Sequence, residues 1–330
     1  MKGHLNQLEY HKGLSLIELL IALALSSILS LALFEVFKIA RDASSRVTGA
    51  NEMLDSAQLS FSVLQDSINM AGFWGGVDSR ELTLITKQLS AFPGNCNSAW
   101  VLNIEQGLQG FDGRENANDI PALPSDCLSK DYVPHSDVLL VRRASVNDPV
   151  PEEKLGNKYY KKRFIVRGSP ETGGIVFQGK DMAKARQQVP PSAFVVNSLL
   201  SIDMYYLEYC KDEELCDVSG IGLSRYTLIG NRFIKQRLVN GVAQMQFEYG
   251  LDLSGDGKVE RYLTADNVFS WNDVLSVRVF ALFKSKLSAS SNENPEREFK
   301  LGTGFEFEPE EHERRYKFKK FQSEFSLKNT

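Results

Sequence analysis

The chain has 330 residues, 42% hydrophobic and 24% charged, enough to bury one large core or two small ones. Its 38 lysines and arginines stand against 42 aspartates and glutamates. The resulting net charge of −4 argues against a body that captures nucleic acid through a basic domain.

The first thirteen residues are polar and end in Lys12-Gly13; removing them leaves 36 basic against 41 acidic groups, a net of −5. From Leu14 to Phe37 the chain reads LSLIELLIALALSSILSLALFEVF. Up to Phe34 that run is interrupted only by Glu18 and the hydroxyls of Ser15, Ser26, Ser27 and Ser30. About 20 apolar residues suffice to cross a bilayer core as a helix. A cleaved secretory signal fits poorly, because the only Ala-x-Ala here, Ala22-Leu23-Ala24, falls inside the run and not after it. Glu18 argues against an ordinary anchor, since a carboxylate within a span costs about 2.5–3.5 kcal/mol and marks function by default. Lys2 and Lys12 on one side, against Lys38, Arg41 and Arg46 on the other, do not decide the orientation.

Beyond Phe37 the pattern turns amphipathic. Ile39, Ala43, Val47, Ala50, Leu54, Ala57, Phe61, Leu64, Ile68 and Ala71 recur at steps of four and three, one stripe on a continuing helix. Gly72 reads as its stop and Gly49 as a bend. The prediction is a single helix from Leu14 to Ala71, its alanine-rich stripe packed on a sheet in preference to a coiled-coil partner.

After Gly72 the periods are those of strands: Asp137–Ala144, Arg163–Arg167, Gly174–Gln178, Ala193–Tyr209, Ala243–Tyr249, Val274–Phe283 and Lys317–Leu327. Loops are predicted over Phe92–Asn97, Gln109–Pro124, Asn147–Asn157 and Ser288–Pro295. The fold class is therefore α+β, an antiparallel sheet folded over the helix stripe, in one domain.

Of the three pairings that four cysteines allow, Cys210–Cys216 with Cys96–Cys127 is favoured, because the first pair closes a short loop between two strands. Neither pair has C-x-x-C spacing or a nearby histidine, which argues against zinc. Asp252, Ser254 and Asp256 with Gly257 begin like a calcium loop, with Glu260 or Asp266 in reserve. The twelfth position is Leu263, and a tight Asp/Gly turn between strands is the favoured reading. His4 and His11 lie in the leader, which leaves His135 and His312 far apart and without a nucleophile motif. No cofactor motif appears. The run Lys154 to Arg163 (KLGNKYYKKR) reads as a solvated loop or edge strand ahead of contact with nucleic acid or an anionic surface.

Lys12-Gly13-Leu14-Ser15-Leu16-Ile17-Glu18-Leu19 resembles the class III signal of type IV prepilins, with Leu14 where phenylalanine is usual. The resemblance implies cleavage between Gly13 and Leu14 by a prepilin peptidase and methylation of the Leu14 amine. It also implies an assembly role for Glu18, whose carboxylate meets the N-terminal amine of a neighbouring subunit. The phrases Met70–Gly75, Ser136–Ala144 and Trp271–Val279, and the end from Phe321 to Asn329, are similar to the PilW-type minor pilins. The implied fold is type IV pilin-like. Residues 1–13 are the leader, 14–37 the membrane and assembly half of the helix, 38–72 its amphipathic half and 73–330 a β-rich head. The implied function is a non-enzymatic minor pilin, resident in the inner membrane with a periplasmic head before assembly and in the surface pilus afterwards. A priming or tip complex, twitching motility, adhesion and DNA uptake come with that family. Implied partners are other minor pilins, the major pilin, the prepilin peptidase, the inner-membrane assembly platform and a tip adhesin. A type II secretion pseudopilin and a membrane-anchored periplasmic binding or enzyme domain are the alternatives.

Overall fold

A computed structural model describes residues 15–85, 96, 98–125, 127–128, 130–210, 220–230, 232–288, 298–314 and 316–328. They form two compact units, Met1–Thr48 and Gly49–Thr330.

Helix α1 runs unbroken over Leu16–Asn69, 54 residues. Its start is a capping box: the Ser15 hydroxyl accepts from the Ile17 N–H at 3.2 Å, and the Glu18 carboxylate accepts from the Ser15 N–H at 2.9 Å. Its stop is Gly72, at φ +71°, a left-handed position that glycine adopts without steric cost. The Gly72 N–H then bonds to the Arg142 carbonyl at 3.0 Å. Gly49 breaks nothing, because the helix continues through it.

In the first unit the apolar side chains of α1 are open to the surroundings, with Leu16 77% and Phe34 68% exposed. The helix is long and apolar enough to cross a membrane. In the second unit α1 buries Met53, Ala57, Leu64 and Ile68 together with Gly49, Ser60 and Ser67. The lower part of the predicted stripe is therefore the buried face, but Leu54 is 43% exposed, and Val47 and Ile39 also lie outside the core. Small residues take the inward positions instead. The Ser60 hydroxyl donates to the Ser56 carbonyl at 2.8 Å, and Ser67 pairs with the Tyr205 hydroxyl at 2.5 Å. With their polar atoms satisfied, they let the sheet come close at little cost.

The head continues with β1 (Leu82–Leu84), the short helix α2 (Ser98–Val101), β2 (Leu108–Phe111), β3 (Val138–Pro149), β4 (Phe164–Ser169), β5 (Gly173–Gln178) and helix α3 (Met182–Gln188). Then come β6 (Val196–Tyr209), β7 (Ile221–Ile229), β8 (Arg232–Asn240), β9 (Val242–Leu251), β10 (Arg261–Leu263) and β11 (Val274–Ser288). β12 (Phe299–Leu301), β13 (Phe305–Phe307) and β14 (Tyr316–Ser326) complete it. Every strand predicted from alternation is present. Sequence reading missed the β7–β8 hairpin, helix α3 and the short strands, whose few residues carry little periodic signal. β2 and the end of β3 run into stretches predicted as loops.

An eight-stranded sheet is organised about β6, which is fourteen residues long. β3 takes one edge of β6. Along the other edge, β4 pairs with Val196–Leu199 and β7 with Asp203–Tyr209, so the start of β4 and the end of β7 abut. All pairings are antiparallel except β1 on β5. A second sheet has the order β10-β9-β11-β14, and β12 and β13 form a small ribbon.

At β3 the eight-stranded sheet is buried on both faces. Leu139 and Val141 join the core made by α1 and the second sheet, with Phe247, Val279 and Phe283. Val138 and Leu140 join a second core with Trp74, Ile202 and Met204. That explains why β3 reads as a continuous apolar run and not as an alternation.

Candidate assembly site at the helix N-terminus

Gly13 and Leu14 lie outside the described residues. Glu18 sits in the first turn of α1, where its carboxylate both caps the helix and lies near the positive end of the helix dipole. The Ser15–Glu18 spacing is a Ser-x-x-Glu capping box, a signal that sequence reading did not use. Farther along, Ser26, Ser27 and Ser30 return their hydroxyls to the backbone at 2.6–2.8 Å. They present a methylene-like surface and not a bare polar group, which suits an apolar environment. Glu18 is therefore the single acidic side chain between Ser15 and Phe34, and among the described residues its carboxylate is met only by the Ser15 N–H.

The PilW-like phrases of the head are structural. In the second, Asp137 is buried and accepts the backbone N–H of Gly113 at 2.9 Å and of Phe247 at 2.8 Å, tying the entry of β3 to β9. Burial pushes its carboxyl well above the ordinary carboxylate range, although both N–H donors pull the other way. Arg142 is fully buried. Its guanidinium donates to the carbonyls of Val101 at 2.8 Å, Trp100 at 2.9 Å and Gln106 at 3.0 Å. The group thus closes the C-terminal end of α2, and burial pulls its pKa down to about 9. In the first phrase Gly72 ends the helix turn and Trp74 packs into the second core.

Cys96 and Cys127 form a disulfide that spans 31 residues. Cys210 is also disulfide-bonded; Cys216, the partner expected for it, lies outside the described residues. The carboxylates of Asp252, Asp256 and Glu260 come within 4.8 Å of one another. Each is engaged by its own loop. Asp252 accepts from the N–H groups of Gly255 at 2.6 Å and Gly257 at 2.7 Å, and Asp256 from Lys258 at 2.9 Å. Glu260 takes the Ser254 hydroxyl at 2.5 Å and the Leu253 N–H at 2.7 Å. These groups build the turn that joins β9 to β10.

The two head histidines, far apart in sequence, line one cleft of about 630 Å³. His135 is 2.9 Å from Glu115, and His312 is 3.2 Å from Glu310. Burial, followed by the charges of Glu313, Glu310 and Glu115, raises the pKa of Tyr209 in the same cleft. Each contact sets an imidazole against a glutamate carboxylate.

Residues 10–34 match the prokaryotic N-terminal methylation motif, and residues 220–329 match the family described as Type IV Pilus-assembly protein W. No curated protein and no solved structure matches the chain. The PilW match covers β7 to β14, which include the whole second sheet against which α1 packs. The methylation motif covers the capped, acid-bearing start of the helix. Motif and apolar helix together accord with an inner-membrane anchor and with assembly into a pilus, among other pilus components and after a prepilin peptidase. The two matches together support a type IV pilin-like minor pilin, with PilW-type sequence over residues 220–329.

Proposed function

We propose that the chain is cut between Gly13 and Leu14, methylated at Leu14 and built into the pilus by its N-terminal helix, where it serves in a priming complex at or near the tip. Its immediate partners are other minor pilins and the major pilin, delivered by the inner-membrane assembly platform, with a tip adhesin above. Residues 14–37 form the membrane and fibre-core half of the helix, 38–72 its amphipathic half and 73–330 the displayed head. The role is structural and not enzymatic.

One observation carries this reading: a helix whose apolar first half is exposed and whose only early charge is Glu18, immediately after a polar leader. In a water-free fibre core an isolated carboxylate is costly, so it must meet a cation. The new amine of a neighbouring chain is the cation that cleavage creates. Mass spectrometry of the mature N-terminus tests the proposal. A monomethylated Leu14 supports it, and an intact Met1 or a cut elsewhere overturns it. Immunodetection in sheared surface fibres gives a second arm, since a pilus subunit is recovered with them and a resident membrane protein is not.

A further inference from the structure

The Lys154–Arg163 run is a succession of turns before β4. Because β4 and β7 share one edge of β6, the β7–β8 turn abuts this run: a side chain added at Gly230 would lie 3.4 Å from the Lys162 carbonyl. The segment after β5 is tied to the same place. Lys180 N–H donates to the Lys161 carbonyl at 3.0 Å, and Gly179 N–H to the Arg163 carbonyl at 3.1 Å. Three distant stretches of chain thus bring together Lys158, Lys161, Lys162, Lys180 and Arg232, all exposed.

No ion pair joins any of these five to a carboxylate among the described residues. Elsewhere in the head exposed cations have found acids: Arg278 is 2.9 Å from Glu324, and Lys300 is 2.9 Å from Glu306. Clustered like charges left without partners cost stability unless an outside anion meets them. The cluster is also ordered around aromatic rings. Arg163 donates to the Tyr159 hydroxyl at 2.8 Å and sits 4.7 Å above its ring, and Tyr159 meets Tyr160 edge to face. Tyr159 is 61% exposed.

We propose that this patch is a nucleic-acid-binding surface, which takes a DNA strand by its phosphates without regard to sequence. Cations spread over three stretches of chain suit an extended polyanion and not a single small anion. The exposed ring beside them gives bases an apolar contact that a charged lipid surface would leave unused.

The test uses the full-length protein in detergent and a fluorescent single-stranded oligonucleotide about 20 nucleotides long, with binding read by anisotropy. Five phosphate contacts give a log–log salt slope near −3.5, so affinity falls about a hundredfold between about 50 and about 200 mM salt. The double variant Lys161→Glu/Lys162→Glu should weaken binding at least about tenfold and flatten the slope by about 1.4. Lys319→Glu on β14 changes the net charge without touching the patch and should leave affinity within about twofold. These substitutions are at exposed positions, and unchanged circular dichroism and melting verify the fold. Three results would overturn the proposal: equal losses in patch and control variants, no binding at the lower salt, or a larger loss by Lys161→Glu/Lys162→Glu of affinity for phosphatidylglycerol vesicles than of affinity for DNA.

Discussion

Asp137 shows how a single buried side chain can hold two layers of the head together. Its two oxygens accept N–H groups from the loop before it and from β9, and no other donor among the described residues reaches them. Because burial raises its pKa in the folded chain, the proton is held more tightly there than in the unfolded chain, whose value is near 3.8. Its contribution to stability is thus fully present below pH 3.8 and is lost as pH rises from there through the folded value. Asp137→Asn removes that titration. It also costs about 1–3 kcal/mol at its worst, since an amide can accept only one of the two N–H groups and turns its own donors on the other. Urea titrations of both proteins across acidic pH check this. The deficit of the variant should shrink as pH rises from about 4, and a deficit independent of pH would refute the assignment of the shift to Asp137.

At the scale of elements, the helix face and the disulfide carry separate predictions. Leu64 is fully buried on α1, whereas Leu54 is 43% exposed. Leu64→Ala should therefore cost about 2–5 kcal/mol and Leu54→Ala less than about 0.5 kcal/mol, measured by denaturant melts of the head signal. Equal costs would mean that the apolar stripe, and not the Gly49–Met53–Ser60–Ser67 face, is the one that packs. The Cys96–Cys127 bond closes a segment of 31 residues, so its removal by Cys96→Ser/Cys127→Ser should cost about 3–4 kcal/mol. Reductant should cost the parent protein at least as much, since it also opens the disulfide of Cys210. The seven predicted strands were legible because alternation or an apolar run survives over at least five residues in each, whereas β7 and β8, nine residues each, interleave charged and polar residues and were missed. The upper helix face was not legible, because an apolar count passes over glycine and serine whose polar atoms are locally satisfied, as at Ser60. The cationic patch was half legible: Lys158, Lys161 and Lys162 lie close together in sequence, but Lys180 and Arg232 join them only through the shared edge of β6.

For the whole molecule the decisive question is what Glu18 does when the chain leaves the membrane for the fibre. The sequence marked the residue through its cost in a bilayer, but not its second duty as the partner of the Ser15 N–H in the capping box. The two duties can be separated, because glutamine retains the cap and loses the charge. Glu18→Ala should still be inserted and cleaved, and its head should melt normally, since the changed residue lies in the unit Met1–Thr48 and the head in Gly49–Thr330. Its recovery in sheared fibres should fall at least about tenfold, in keeping with about 3–5 kcal/mol for breaking a buried charge pair. Glu18→Gln then decides the cause. If the carboxylate meets a neighbour's amine, glutamine fails as alanine does, despite an intact helix start. If glutamine enters fibres like the parent, the residue matters only as a cap, and the axial register of the subunit must come from packing along the apolar helix alone.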